Sequence, residues 1–243
     1  MNAFSSNYSM ILRDIFAAAF SFTICGSIVS LVHQKHIAGL LDEHMGRKLI
    51  HIGIGSVLMH FWPMFSSGRL GAVLAGLVPI ALFAHQLIIL RNGEKIMKML
   101  RSRFKNYRDL MKATVGYGST IFLATAFYWR TSPIGIAAIC NLCAGDGVAD
   151  IVGRRFGSWK LPYNKNKSFA GTIAMTIAGF LASIWYMYYF SWFGYIQDCS
   201  NKISSLFLIS LVSALVESHP LSTQFDDNLT VPLVVILVGT FVL

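Results

Sequence analysis

Two aspartates four residues apart, Asp146 and Asp150 in the run GDGVAD, are the strongest chemical feature of the sequence. On a helix their carboxylates share one face about a turn apart. Unpaired in lipid, each would cost roughly 2.5–3.5 kcal/mol on insertion scales. Two like charges so close also repel, so the pair predicts a neutralising cation or a water-filled pocket. Mg²⁺ suits such hard paired oxygens. Gly145 and Gly147 let a backbone or a phosphate approach closely. The competing reading of Asp150, an i,i+4 ion pair with Arg154 that helps end the helix, leaves Asp146 unexplained.

Three further groups gather around this pair in the sequence. The basic run from Arg154 through Arg155, Lys160, Asn164 and Lys165 to Lys167 stops at Ser168, where a long apolar helix begins. Free N–H groups and the helix dipole make such an end attractive to phosphate. Lys167-Ser168 has the ending of a Walker A motif without its GxxxxGK[ST] spacing, so it is no P-loop. Upstream, His44, Arg47, Lys48 and His51 follow at i, i+3, i+4 and i+7, one stripe on a helix entering the membrane. Arg47 could clamp a phosphate bidentately and Lys48 would add a point charge; both also suit snorkelling anchors. Glu217 ends one apolar run, and Asp226, Asp227 and Asn228 precede the next. Asp227 or Asn228 could equally cap that last helix.

The elements that must position these groups are membrane helices. Of the 243 residues 55% are hydrophobic and 13% charged; a soluble domain usually carries about twice that charge. Mean hydropathy is +0.58. Apolar runs at 15–32, 49–65, 70–90, 114–129, 133–152, 168–193, 203–216 and 229–243 predict an all-α, polytopic integral membrane bundle of about seven or eight transmembrane helices. The fifth run is interrupted by the glycine and aspartate cluster. No long polar stretch could fold outside the bilayer, so residues 1–243 read as a single membrane domain.

Alternating the loops places sixteen of the twenty Lys and Arg on one side, at 33–48, 91–113, 153–167 and 217–228. Only Arg13, Arg69, Arg130 and Lys202 fall on the other. This is the positive-inside asymmetry, and it accounts for the net charge of +9 without nucleic acid. The rich side holds every group named above and is the expected working face. The basic stretch from Arg91 to Lys112 is amphipathic and suits an anionic lipid surface. Cys140 and Cys143 form a CxxC without a second pair and read as small core residues. The first residues, MNAFSSNYSMILRDIFAAAF, carry no legible targeting signal.

At GRKLIHIGIG, FWPMFSSGRLGA, SPIGIAA, GDGVADIVGRRFGSWKLPYNKNKSFAGTIAM and DDNLTVPL the sequence resembles the plant and cyanobacterial phytol and farnesol kinases, a branch of the polyprenol kinase group. The matching stretches run from about residue 46 to 233. The resemblance implies a helical membrane enzyme that phosphorylates an isoprenoid alcohol with CTP and Mg²⁺. For phytol it implies a chloroplast membrane and a product destined for tocopherol. MKATVGYG stands where relatives tend to read Lys-Gly-Pro, and His219 where they have an apolar residue, which leaves the alcohol open between phytol, farnesol and geranylgeraniol. In the expected mechanism Asp146 and Asp150 hold Mg²⁺ on the nucleotide phosphates. Lys165, Lys167 and Arg154 or Arg155 neutralise developing charge, with Arg47 and Lys48 in support. Glu217 or Asp226 takes the hydroxyl proton. Two rivals use the same groups: a cytidylyltransferase making a CDP-lipid, and a transporter of an anionic solute.

Overall fold

The computed structural model describes residues 2–92, 107–220, 222 and 227–243. Its helices are α1 (Asn2–Ile37), α2 (Glu43–Phe61), α3 (Arg69–Asn92), α4 (Tyr107–Tyr128), α5 (Pro133–Cys140), α6 (Asp146–Phe156), α7 (Phe169–Trp192), α8 (Ile203–Ser218) and α9 (Asp227–Val242). Among the described residues there is no strand, only an isolated bridge between Lys160 and Ser168. The expected all-α membrane bundle is what forms. Among the described residues five segments are long and apolar enough to cross a membrane: Tyr8–Ile37, Arg69–Gln86, Pro133–Phe156, Phe169–Trp192 and Ser200–Ser218. Helices α2, α4 and the shorter α9 pack among them.

Local sequence sets the boundaries. Asp42 Oδ1 accepts the Met45 amide at 2.7 Å, so α2 starts at Glu43, several residues before its apolar part. That early start puts His44, Arg47, Lys48 and His51 on one helix. Pro63 ends α2 in a 3₁₀ turn at Trp62–Met64. Pro133 opens α5 at a position where its missing N–H is harmless.

The centre of the bundle is one post, α5 followed by Asn141–Gly145 and α6. The expected interruption here is not a break. Residues Asn141–Gly145 form a π-helical turn and the axis runs on. The Asp146 amide donates to the Asn141 and Cys143 carbonyls and passes over Leu142. Such widened turns concentrate at functional positions. Neighbours reach the post at its glycines. A Cβ on Gly147 would lie 2.3 Å from Ile52 Cγ1, and one on Gly145 would meet the Met175 carbonyl at 3.4 Å. Gly147→Ala therefore pushes α2 off α6 and destabilises the protein by about 1–3 kcal/mol. Thermal unfolding in detergent measures this, and adding Ile52→Ala recovers much of the loss.

The end opposite the working face is locked. Arg13 donates to the Met64 and Pro63 carbonyls at 2.7 and 3.0 Å. Asp14, fully buried, accepts the Ser66 amide and hydroxyl, each at 2.6 Å. Arg130 donates to the Trp62 and Phe65 carbonyls at 2.6 and 2.9 Å and to Ser67 Oγ at 3.0 Å. Its guanidinium also lies 4.0 Å from the Tyr195 ring centre. Three charged side chains thus fix the 62–67 turn to α1 and to the loops after α4 and α7.

Candidate active site

The working end is built where α2, α6, the 157–168 loop and the end of α8 meet. The α2 stripe faces α6 as its spacing predicts. Lys48 Nζ donates to Asp146 Oδ2 at 2.8 Å, and His51 Nε2 stands 3.6 Å from the same oxygen. One turn further out, His44 Nδ1 lies 3.1 Å from Asp150 Oδ2, off the line of a hydrogen bond. Arg47 turns outward, is exposed, and sits 3.3 Å from His44 Nε2.

The loop delivers the second cation. Leu161 N–H donates to the Lys167 carbonyl and Lys167 N–H to Asn164, both at 3.1 Å, giving a compact turn. Asn164 Nδ2 bonds the Ser218 carbonyl at 3.0 Å, and the Tyr163 and Ser218 hydroxyls meet at 2.9 Å. This docking onto the end of α8 brings Lys167 into a direct ion pair with Glu217. Ser222 donates to the Glu217 carbonyl and holds the turn after α8. Asp146 and Glu217 are each 5% exposed. Isolated charges are not tolerated at that depth; the two ion pairs, Lys48–Asp146 and Lys167–Glu217, offset the cost.

Other expected site residues fall elsewhere. Arg154 pairs with Asp150 at 3.3 Å, the competing reading of that aspartate, yet Asp150 Oδ2 is left buried without a hydrogen-bond donor. Arg155, Lys160 and Lys165 are exposed. Ser168 Oγ accepts the Gly171 amide as the α7 cap, and Phe169 N–H is engaged by the Trp159 carbonyl, so part of that helix end is already satisfied. The space at Gly145 and Gly147 is filled by α7 and by Ile52. Asn228 meets Thr120 through its carbonyl at 2.8 Å. Asp226, the Asp227 side chain and the basic stretch 93–106 lie outside the described residues.

Tyr117, Ser218 and Ser222 carry structure around the site and were not anticipated. Nothing in their spacing marks them, because their partners are distant in sequence. A divalent cation has a plausible donor set in Asp146 and Asp150: hard oxygens one turn apart, one of them buried and unsatisfied. No cluster of three or more His, Cys, Asp or Glu exists among the described residues. Mg²⁺ commonly takes one or two carboxylates and completes its shell with phosphate and water, so two fit.

Comparison with known proteins adds the family context. The chain is 49% identical to "Probable phytol kinase 3, chloroplastic" of Glycine max, over 98% of this chain and 75% of the relative. It is 46% identical to "Probable phytol kinase 2, chloroplastic" of Oryza sativa subsp. japonica, over 96% and 78%. It is 49% identical to "Farnesol kinase, chloroplastic" of Arabidopsis thaliana, over 94% and 75%. No protein-family model and no solved structure matches the chain.

Proposed function

The chain belongs to the phytol and farnesol kinase family, and from that premise we infer that it is a single-domain membrane kinase for a long-chain isoprenoid alcohol. Phytol is the first choice of acceptor, farnesol or geranylgeraniol the alternative, and CTP the donor that the family resemblance favours. Three relatives named chloroplastic support a chloroplast membrane. The observation that carries this reading is the two ion pairs of buried carboxylates with partly buried lysines, Lys48–Asp146 and Lys167–Glu217, at one polar end of an otherwise apolar bundle.

The chemistry is an in-line displacement. The alcohol oxygen forms a bond to the γ-phosphorus, the bond to the β,γ-bridging oxygen breaks, and the nucleoside diphosphate leaves. Most of the catalysis is positioning and charge neutralisation. Lys48 and Lys167, already aimed into the site by their carboxylates, would transfer their charge to the phosphate oxygens. Arg47 and the exposed Arg154, Arg155, Lys160 and Lys165 would gather the polyanion from solution. Glu217, next to Lys167 and shielded from water, would accept the hydroxyl proton; Asp226 is the other candidate. Mg²⁺ held by Asp146 and Asp150 would neutralise charge on the donor phosphates. The prenyl tail stays among the helices while its hydroxyl reaches the polar end.

Labelled nucleotide tests the reading. Purified protein with CTP or ATP and with phytol, farnesol or geranylgeraniol should move γ-label into the lipid. Label from the α-position would instead mean a cytidylyltransferase. Anion uptake into proteoliposomes without nucleotide would mean a transporter.

A further inference from the structure

We propose that His51 is a positioning residue that holds the π-helical turn in the shape that aims Asp146, with Tyr117 fixing the imidazole. This rests on the kinase reading for its activity readout and on geometry for everything else. In the turn the Asp146 amide bonds Asn141 and Cys143 and skips the Leu142 carbonyl. Leu142 is fully buried, so a side-chain donor that reaches its carbonyl helps satisfy it away from water. His51 Nε2 supplies one from α2, at 3.0 Å. A carbonyl only accepts, so Nε2 must carry the proton, and the tautomer is fixed. The same N–H stands 3.6 Å from Asp146 Oδ2.

The ring is held in turn from α4. Tyr117 packs with its ring centre 4.1 Å from that of His51, and its hydroxyl donates to the His51 carbonyl at 2.6 Å. That hydroxyl also lies 3.3 Å from Cys143 Sγ, inside the same turn. The close fit depends on Gly55, where a Cβ would sit 2.1 Å from Cys143 Sγ and 3.1 Å from the Tyr117 hydroxyl. Helices α2 and α4 therefore grip the widened turn from two sides. The chain Tyr117–His51–Leu142 sets where the first residue of α6, Asp146, points. Supporting groups of this kind typically change activity by about 10–100-fold when removed.

The test uses His51→Leu, His51→Gln and Tyr117→Phe in the full chain. Glutamine keeps an N–H near the Nε2 position; leucine removes it. His51→Leu should lower kcat by about 10–100-fold with nucleotide KM within about twofold, and His51→Gln should restore most of it. In protein without nucleotide, hydrogen–deuterium exchange over residues 141–147 should quicken in His51→Leu and Tyr117→Phe and remain near wild type in His51→Gln. Equal loss in leucine and glutamine variants, unchanged exchange, or a loss confined to KM overturns the proposal. If His51→Leu does not fold, Tyr117→Phe decides by the same exchange and kcat readouts. Wild-type protein that moves no γ-label defeats the kinase reading instead, and the exchange result stands apart from it.

Discussion

Asp146→Asn is expected to lower transfer of the γ-phosphoryl group by about 10³-fold or more, the scale of removing a principal electrostatic group from a preorganised site. Asparagine keeps the shape and removes the charge. That charge now balances Lys48 and stands 3.6 Å from His51 Nε2. Its loss also leaves the part-buried Lys48 unpaired, which costs stability, up to the limit of about 3–5 kcal/mol for breaking a fully buried pair. Activity and stability must therefore be read separately. Initial rates with γ-labelled nucleotide give the first, and thermal unfolding in detergent gives the second. The double variant Asp146→Asn with Lys48→Met should recover stability and stay inactive. Wild-type rates in a folded Asp146→Asn protein would remove Asp146 from the chemistry.

The second large effect lies across the site. Glu217→Gln should lower kcat by about 10²–10⁴-fold, the usual contribution of a general base, with nucleotide KM unchanged. Lys167→Met should raise nucleotide KM as well as lower kcat, because in the proposed mechanism the lysine would act on the phosphates before and during transfer. The split between the two variants is the measurement that matters. A Glu217→Gln enzyme with full kcat would pass the proton-accepting role to Asp226. Partial losses in KM alone for both would reduce the Lys167–Glu217 pair to a device that docks the loop on α8.

Sequence alone reveals the class of fold and points to one polar end as the candidate working face, because both readings follow from local composition. Apolar runs of bilayer length specify helices, and the one-sided distribution of lysine and arginine orients them. The spacing of His44, Arg47, Lys48 and His51 likewise predicts a stripe; His44, Lys48 and His51 face Asp146 and Asp150, while Arg47 turns outward. The pairing of Lys167 with Glu217 was only half legible. Both residues read as functional, but their meeting depends on Asn164 and Tyr163 docking on Ser218. The π-helical turn was not legible, since the groups packed against it, Ile52 and Gly55 of α2 and Tyr117 of α4, are distant from it in sequence. The glycines beside the aspartates invite a phosphate by type, yet their open space is taken by Ile52 and α7. The Arg13–Asp14–Arg130 lock was invisible for the same reason: each partner is about fifty or more residues away.

That lock has a mechanical consequence. With one end of the bundle stapled by buried guanidinium and carboxylate groups, the helices behave like the arms of tweezers joined at the base. On the proposed mechanism, room for an incoming triphosphate has to come from the far tips, where exchangeable ion pairs, Lys48–Asp146 and Lys167–Glu217, add to the hydrogen bonds that hold α2 and the 157–168 loop. Cutting the staple with Arg130→Met would let the arms slide past each other, and the tips would lose their alignment without a single phosphate-facing residue having been touched.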